Sequence, residues 1–402
     1  MEMLKQFRVV VVGTPDSGKS TLIKQLVKSL TGKELEPDTL MHEVHYSDGL
    51  DPDGNPDTRT IKCAKILFKF GDYEWCFYDA PGHLEYLEQI KQGINAADVV
   101  ISLVNESDVE TSIKYLEEIK PLLTGKINPI LHSHSSSDEY LHYDTTREDA
   151  FDRFAYFLMD KLLLFAFEGG GPHDVEEEAI RLFKENITDK TVMFFSCGKD
   201  SAAGLKIAEL ANVSDKVDVW FPRSGYDFEE VENMIPVYQS YFGKTISCFD
   251  NDLGRTYEND GAYAMMEAKA LANEDFIEKN QEYIDTVCVQ YRASDEGVRS
   301  KDYHVSQRSN HKRFSPVFYF SESNIWRFLD KYEVPVCSLY FKGFRSLGDK
   351  PVTTACMPCF DTIPEIVDYI GTHPNTRERD GRVAQDQSGE FVMEKIRNIG
   401  FF

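Results

Sequence analysis

Two apolar runs in this 402-residue chain each open into a short loop rich in Gly, Ser and Lys, followed by a helix-patterned segment. Arg8-Val9-Val10-Val11-Val12 leads into Gly13-Thr14-Pro15-Asp16-Ser17-Gly18-Lys19-Ser20. Thr191-Val192-Met193-Phe194-Phe195 leads into Ser196-Cys197-Gly198-Lys199-Asp200-Ser201. Such a turn points backbone N–H groups outward at the start of a helix, where the helix dipole favours negative charge. Both loops therefore read as grips for nucleotide phosphates. They also constrain the architecture, because a continuous apolar strand feeding a helix belongs in a parallel sheet covered on both faces. Two such units call for two consecutive α/β domains.

The length is sufficient for two or three domains with their own cores. A net charge of −24 argues against a protein that coats nucleic acid, since phosphate contacts need Lys and Arg. Local basic pockets on an acidic surface still admit anionic substrates. The start, Met1-Glu2-Met3-Leu4-Lys5-Gln6, lacks the charged and apolar regions of a signal peptide. The apolar stretch from Phe157 to Phe167 is broken by Asp160 and Lys161 and is too short to span a bilayer. The expectation is a protein with no nucleic-acid or membrane partner. Eight scattered cysteines read as a reduced, cytoplasmic chain. Cys356 and Cys359 form the only close pair; without a second pair or a nearby His they read as ordinary thiols rather than a zinc site.

Strand-like and helix-like segments alternate through residues 1–145: strands at Phe7–Val12, Thr60–Phe70, Glu74–Tyr78, Val99–Val104 and Asn128–Leu131, and helices at Lys19–Leu30 and Val109–Leu123. Gly71-Asp72 suits a hairpin turn between the second and third strands. Residues 146–172 read as a helical connector ending in Gly169-Gly170-Gly171-Pro172, a hinge-like linker. A second α/β succession fills 173–402, with a helix at Val175–Lys184 and strands at Thr191, Val217–Phe221, Lys244–Phe249 and Asp285–Gln290.

In the first loop, glycine spacing lets backbone N–H groups curve around phosphates, with Lys19 supplying charge and Ser20 an Mg²⁺ ligand. Asp79-Ala80-Pro81-Gly82-His83 follows the strand ending at Tyr78. There Asp79 can hold an Mg²⁺ water, Gly82 can offer its N–H to a γ-phosphate, and His83 can orient an attacking water. These residues resemble the translation-factor class of GTPases, and in particular the GTPase subunit of bacterial sulfate adenylyltransferases, which share the run seen here as Asp16-Ser17-Gly18-Lys19-Ser20-Thr21-Leu22. The resemblance implies a P-loop NTPase fold binding GTP and Mg²⁺. Gly13, Asp16, Ser17, Gly18, Lys19, Ser20, Thr21 and Gly82 would hold the nucleotide, and Thr60, in Arg59-Thr60-Ile61, would join Ser20 and Asp79 at the metal. One departure concerns the base: the class reads guanine with Asn-Lys-x-Asp, where this chain has Leu131-His132-Ser133-His134-Ser135-Ser136-Ser137-Asp138. The β-barrel domains that follow such a G domain are absent too.

Ser-x-Gly-Lys-Asp-Ser at the second turn resembles the pyrophosphate loop of the N-type ATP pyrophosphatases. That resemblance implies that Ser196, Gly198, Lys199 and Ser201 receive the pyrophosphate end of ATP, with Asp200 organising the loop or an Mg²⁺ ion. From about residue 173 onward the chain resembles the small, catalytic subunit of sulfate adenylyltransferase, in the superfamily of phosphoadenylylsulfate reductase, with an adenine nucleotide alpha hydrolase-like fold. The matching segments are Glu176-Glu177-Glu178-Ala179-Ile180, Ser224-Gly225-Tyr226-Asp227-Phe228 and Tyr291-Arg292-Ala293-Ser294-Asp295-Glu296-Gly297-Val298-Arg299. Gly343-Phe344-Arg345-Ser346-Leu347-Gly348, Glu378-Arg379-Asp380-Gly381-Arg382 and the closing Gly400-Phe401-Phe402 continue the match. A reductase-type nucleophilic cysteine in a Glu-Cys-Gly context near the C-terminus has no counterpart.

The implied reaction is ATP plus sulfate giving adenylyl sulfate and pyrophosphate. Gly225 belongs to the second nucleotide loop, and Arg292, Arg299 and Arg345 are the candidates for sulfate or phosphate contact, because a guanidinium fork suits a tetrahedral dianion. In the resembled enzyme a separate GTPase subunit drives this uphill step; one polypeptide carrying both halves would raise their effective concentration. Homo-oligomerisation or further sulfate-assimilation subunits are the partners so implied. Two alternatives stand beside this reading: a reductase of phosphoadenylyl or adenylyl sulfate, and a nucleotide-binding sensor with a degenerate GTPase domain.

Overall fold

In a computed structural model the run Val9–Val12 lies within β1 (Gln6–Gly13), which is buried along its whole length. Residues 2–15, 17–35, 43–44, 58–59, 64–133, 141–143, 148–168, 171–250, 255–293, 304–308, 310–373, 376 and 378–382 are described. The chain divides into two compact units, Leu4–Asp174 and Val175–Phe402, with Met1–Met3 counted in the latter.

In the first unit β1 is followed by α1 (Lys19–Thr31), the short β2 (Glu43–Val44) and β3 (Thr58–Arg59), then β4 (Ala64–Phe70), β5 (Tyr73–Asp79), α2 (Leu87–Ala96), β6 (Val99–Asn105), α3 (Val109–Ile119), β7 (Ile130–Ser133), β8 (Leu141–Tyr143) and α4 (Glu148–Glu168). The main sheet runs β4-β5-β1-β6-β7-β8, with only the β4–β5 hairpin antiparallel. The hairpin turns at Gly71, whose φ of 64° is left-handed and favours glycine.

Alternation along β1 explains its all-apolar sequence, because successive side chains point to opposite faces. Val9 and Val11 join a core with Leu22, Ile23, Leu26 and Val27 of α1 and with α4. Val10 and Val12 join another core with Ile90 and Ile94 of α2 and Tyr115 and Ile119 of α3. Each of the four valines is fully buried, worth roughly 1.5 kcal/mol or more apiece, so the strand that aims the first loop is clamped from both layers. The helix that the sequence reading placed in a connector, α4, supplies Phe151, Ala155, Leu158, Met159, Leu162 and Ala166 to this core. Their spacing of three, four and one is that of one helical face.

The second unit comprises α5 (Val175–Asn186), β9 (Thr191–Phe194), α6 (Lys199–Leu210), β10 (Val217–Arg223), α7 (Glu229–Glu232), α8 (Met234–Phe242), β11 (Ile246–Asp250), α9 (Tyr257–Lys279, broken at Gly261), β12 (Thr286–Cys288), β13 (Val305–Gln307), β14 (Lys312–Phe314), α10 (Glu322–Lys331) and α11 (Ile363–Thr372). Its sheet runs β11-β10-β9-β12-β14-β13, parallel except for the edge strand β13. On one face Val192 and Val287 meet Ile277 of α9, with Phe194, Trp220 and Phe276 against them. On the other face α6 lies against α5 and α10. Both units are thus three-layer α/β structures, and both phosphate loops sit at the carboxyl end of a central strand, where ligands bind in such sheets.

Candidate nucleotide-binding sites

Gly18 caps α1 in the left-handed region (φ 85°, ψ 17°), a conformation that glycine adopts without penalty. The turn folds Lys19 back across the loop: its Nζ donates to Gly13 O at 3.0 Å and to Thr14 O at 2.7 Å. Ser17 is buried and Thr21 is exposed at the start of α1. Ser20 Oγ donates to Asp79 Oδ2 at 2.5 Å, although the two residues lie 59 positions apart. They meet because β5 runs parallel beside β1, with Val11 opposite Asp79. A hydroxyl and a buried carboxylate brought together at a phosphate loop are the hard oxygen donors that Mg²⁺ prefers, so these residues fit the ion.

Gly82 follows from the same register. A Cβ there would lie 2.5 Å from Pro15 N and 2.8 Å from Lys19 Nζ, so only glycine lets this backbone approach the loop. A Cβ on Gly13 would likewise meet Ser17 Oγ at 2.7 Å and Leu103 O at 2.8 Å. His83 is half-buried, starts the turn Leu84–Tyr86, and stands edge-on to Tyr86 with ring centroids 6.4 Å apart. Asp16 and Thr60 lie outside the described residues. So does most of the segment that replaces the guanine-reading motif, which begins as β7 ends at Ser133.

In the second unit the chain leaves β9 through Phe195, Ser196 and Cys197. Cys197 has a φ of 57°, unusual for a residue with a side chain, and Gly198 then caps α6. Ser196 Oγ and Ser201 Oγ stand 3.3 Å apart, and Ser201 also donates to Gly198 O at 2.9 Å. Burial pushes the Cys197 thiol far up, which keeps it protonated and unreactive.

Lys199 is 2 % exposed and Arg292 is 1 % exposed, so both cations need carboxylate partners. Lys199 Nζ donates to Asp200 Oδ2 at 3.2 Å and to Glu378 Oε1. Arg292 Nη2 donates to Glu378 Oε2, and its Nε lies 2.8 Å from Asp200 Oδ1. The four groups close into a ring of alternating charge. Burial pushes the Lys199 ammonium down, but Asp200 and Glu378 outweigh it and raise its pKa. Burial pushes the Glu378 carboxyl up, but Arg292 and Lys199 outweigh it and hold it ionised. The backbone N–H of Lys199, first in α6, donates to the buried Tyr340 hydroxyl at 2.9 Å.

The structure therefore brings Ser196, Gly198, Lys199, Asp200, Ser201 and Arg292 together. Arg345 stands near enough to Glu378 to feel its charge, but its hydrogen bonds go to other groups: its Nε and Nη2 donate to the Glu322 carboxylate at 2.9–3.2 Å, and its Nη1 donates to Thr376 Oγ1 at 2.8 Å. Arg299 lies outside the described residues, as does the C-terminal Gly400-Phe401-Phe402. Gly225 has a φ of 76° inside a turn where Asp227 accepts from Ser224 N at 2.7 Å and from Ser224 Oγ at 2.9 Å. Ser224 Oγ also stands 2.9 Å from the buried Asp349, so its one hydrogen is shared between two carboxylates, and Asp349 accepts from Lys269 and Tyr257 as well. Glu378 stands in sequence only as part of a matching segment, and neither it nor Tyr340 carries a role there. Their contacts with Lys199 span 179 and 141 positions, which no local pattern reveals. Among the described residues no cluster of His, Cys, Asp and Glu could hold a metal ion by itself, and no helix is long and apolar enough to cross a membrane.

Comparison with known proteins matches each of the two units to a different family. Residues 5–132 match the elongation factor Tu GTP binding domain, and residues 190–355 match the phosphoadenosine phosphosulfate reductase domain. An uncharacterized protein of Methanocaldococcus jannaschii is 25% identical over 288 residues, which cover 67% of this chain and 56% of that relative. The chain thus spans little more than half the length of that relative. A sulfate adenylyltransferase subunit 2 of Methylobacterium radiotolerans is 23% identical over 57% of this chain and 91% of its own length. An elongation factor 1-alpha of Methanococcus maripaludis is 27% identical over 26% of this chain and 27% of its own length. One polypeptide here carries two nucleotide-binding domains of separate classes.

Proposed function

From a chain that joins a GTP-binding domain to a phosphoadenosine phosphosulfate reductase domain, we propose a sulfate-activating enzyme. The second unit transfers the adenylyl group of ATP to sulfate, and the first unit binds and turns over a nucleoside triphosphate that drives the step. The observation that carries this reading is the convergence of two buried cations, Lys199 and Arg292, beside the Ser196–Ser201 loop. The similarity to sulfate adenylyltransferase subunit 2, which runs over nearly the whole of that relative, supports it.

A sulfate oxygen attacks the α-phosphorus of ATP. The new P–O bond forms as the bond between the α-phosphorus and the bridging oxygen breaks, and the electron pair leaves with pyrophosphate. Lys199, Arg292, the hydroxyls of Ser196 and Ser201 and the N–H groups opening α6 stabilise that leaving charge, so positioning and electrostatics do the chemistry without a covalent intermediate. In the first unit Ser20 and Asp79 would hold Mg²⁺, which neutralises charge on a bound triphosphate. Lys19 and the Gly82 backbone close on the phosphates, and His83 orients water. GTP is the nucleotide implied by that domain class. The partners are small molecules, ATP and sulfate, together with further subunits of a sulfate-assimilating complex or a second copy of the chain.

The test is to incubate the pure protein with ATP and sulfate, with and without GTP, and to assay adenylyl sulfate and pyrophosphate. GTP-stimulated product that loses its stimulation in Lys19→Ala supports the reading. No product under any nucleotide condition, or sulfite release with a thiol reductant instead, overturns it.

A further inference from the structure

Glu378 occupies a position that matters for anion binding. One oxygen accepts from Lys199 and the other from Arg292, so a single carboxylate bridges the two cations that a phosphate group would bridge. The Lys199 N–H, which an anion at the start of α6 would use, is engaged by the Tyr340 hydroxyl. The loop's cations and its first N–H are thus satisfied by the protein's own groups.

The two carboxylates of the ring are not equivalent. Asp200 belongs to the loop, next to Lys199 in sequence. Glu378 arrives from 179 residues downstream, and its side chain keeps 17 % exposure where Lys199 keeps 2 %. Its departure would leave the loop and the Asp200 pairings with Lys199 and Arg292 in place.

We propose that Glu378 is a built-in competitor for the pyrophosphate seat, displaced when the triphosphate tail of ATP arrives and restored when pyrophosphate leaves. This rests on the reading of the Ser196–Ser201 loop as that seat. Exchange with a monoanion gains nothing, because one unit of charge replaces another. A polyphosphate carries more charge over more oxygens and wins the exchange. Glu378 is therefore a specificity-determining residue: it lowers the affinity of the seat for every anion and leaves polyphosphates as the ones that bind.

The experiment is calorimetric titration of the full chain with inorganic pyrophosphate, in a Lys19→Ala background so that the first loop does not contribute. Adenosine serves as the control ligand. Glu378→Gln binds pyrophosphate about tenfold more tightly than the parent, because the seat is no longer partly occupied, while adenosine affinity is unchanged. Glu378→Asp, one methylene shorter with its charge kept, gives a smaller tightening of the same sign. Equal or weaker pyrophosphate binding in Glu378→Gln assigns Glu378 to holding the cations in place and overturns the proposal. Should that variant not fold, Glu378→Asp decides by the same sign. If neither parent nor variants bind pyrophosphate, the reading of the loop falls together with the inference.

Discussion

Ser20 donates its hydroxyl hydrogen to Asp79 across 2.5 Å, tying the first helix turn after the loop to the end of the neighbouring strand. The pair is held by the β1–β5 register, so removing one member should impair the metal without unfolding the sheet. Asp79→Asn is expected to weaken Mg²⁺-dependent nucleotide binding about 10- to 100-fold, as losses around a metal do. Titration of a fluorescent nucleotide with Mg²⁺ and with a chelator checks this; equal affinity in both proteins would remove Asp79 from the metal site.

Gly82→Ala should act on the same loop by a different route. The added methyl would meet Pro15 N at 2.5 Å and the Lys19 ammonium at 2.8 Å, and the backbone has to shift. A stability loss of about 1–3 kcal/mol is expected, as for other overpacked sites. Triphosphate affinity should fall toward that for the diphosphate. Denaturant melts and paired titrations with the two nucleotides measure both effects.

Arg345 and Glu322 form a buried ion pair whose loss should lower stability. Arg345→Ala leaves a buried carboxylate unpaired and should cost about 3–5 kcal/mol. The double variant Arg345→Met, Glu322→Leu should regain much of that loss. Urea midpoints of the three proteins decide it, with a double variant as unstable as Arg345→Ala standing against the pairing.

What could be read from sequence was local. Each loop declared itself because its glycine, lysine and serine must lie on one strand-to-helix turn, within about eight residues. The apolar runs behind them showed a parallel sheet because both faces of β1 are covered, which leaves no polar alternation to read. The roles of Glu378 and Tyr340 are not legible in the sequence because only the folded chain brings them to Lys199. The Arg345 pairing was hidden for the same reason: its partner Glu322 lies 23 positions away on another element. The buried stripe of α4 is legible in its helical spacing, just before the glycines that read as a hinge.

His311 gives a pH dependence. Burial, with Arg313 and Arg308 nearby, pushes its pKa down from 6.5 to about 4, while Nδ1 stays within 2.8 Å of Asn310 Oδ1. The folded state therefore keeps the ring neutral where the unfolded chain takes up a proton. Its contribution is complete above pH 6.5 and is lost as pH falls from there to about 4, a change on the order of 3 kcal/mol. Stability measured against pH for the parent and for His311→Gln should show a shallower fall in the variant across that window. Parallel curves would mean that the ring titrates alike in both states.

Isotope exchange tests adenylyl transfer at the Ser196–Ser201 loop without requiring the uphill reaction to accumulate product. Labelled pyrophosphate is incubated with the protein, ATP and Mg²⁺, with and without sulfate, and label entering ATP is counted. The expected result is exchange that depends on sulfate and falls by about a hundredfold or more in Lys199→Ala, the scale set by losing one charge-stabilising group. Exchange that is absent, or that proceeds equally without sulfate, would contradict it.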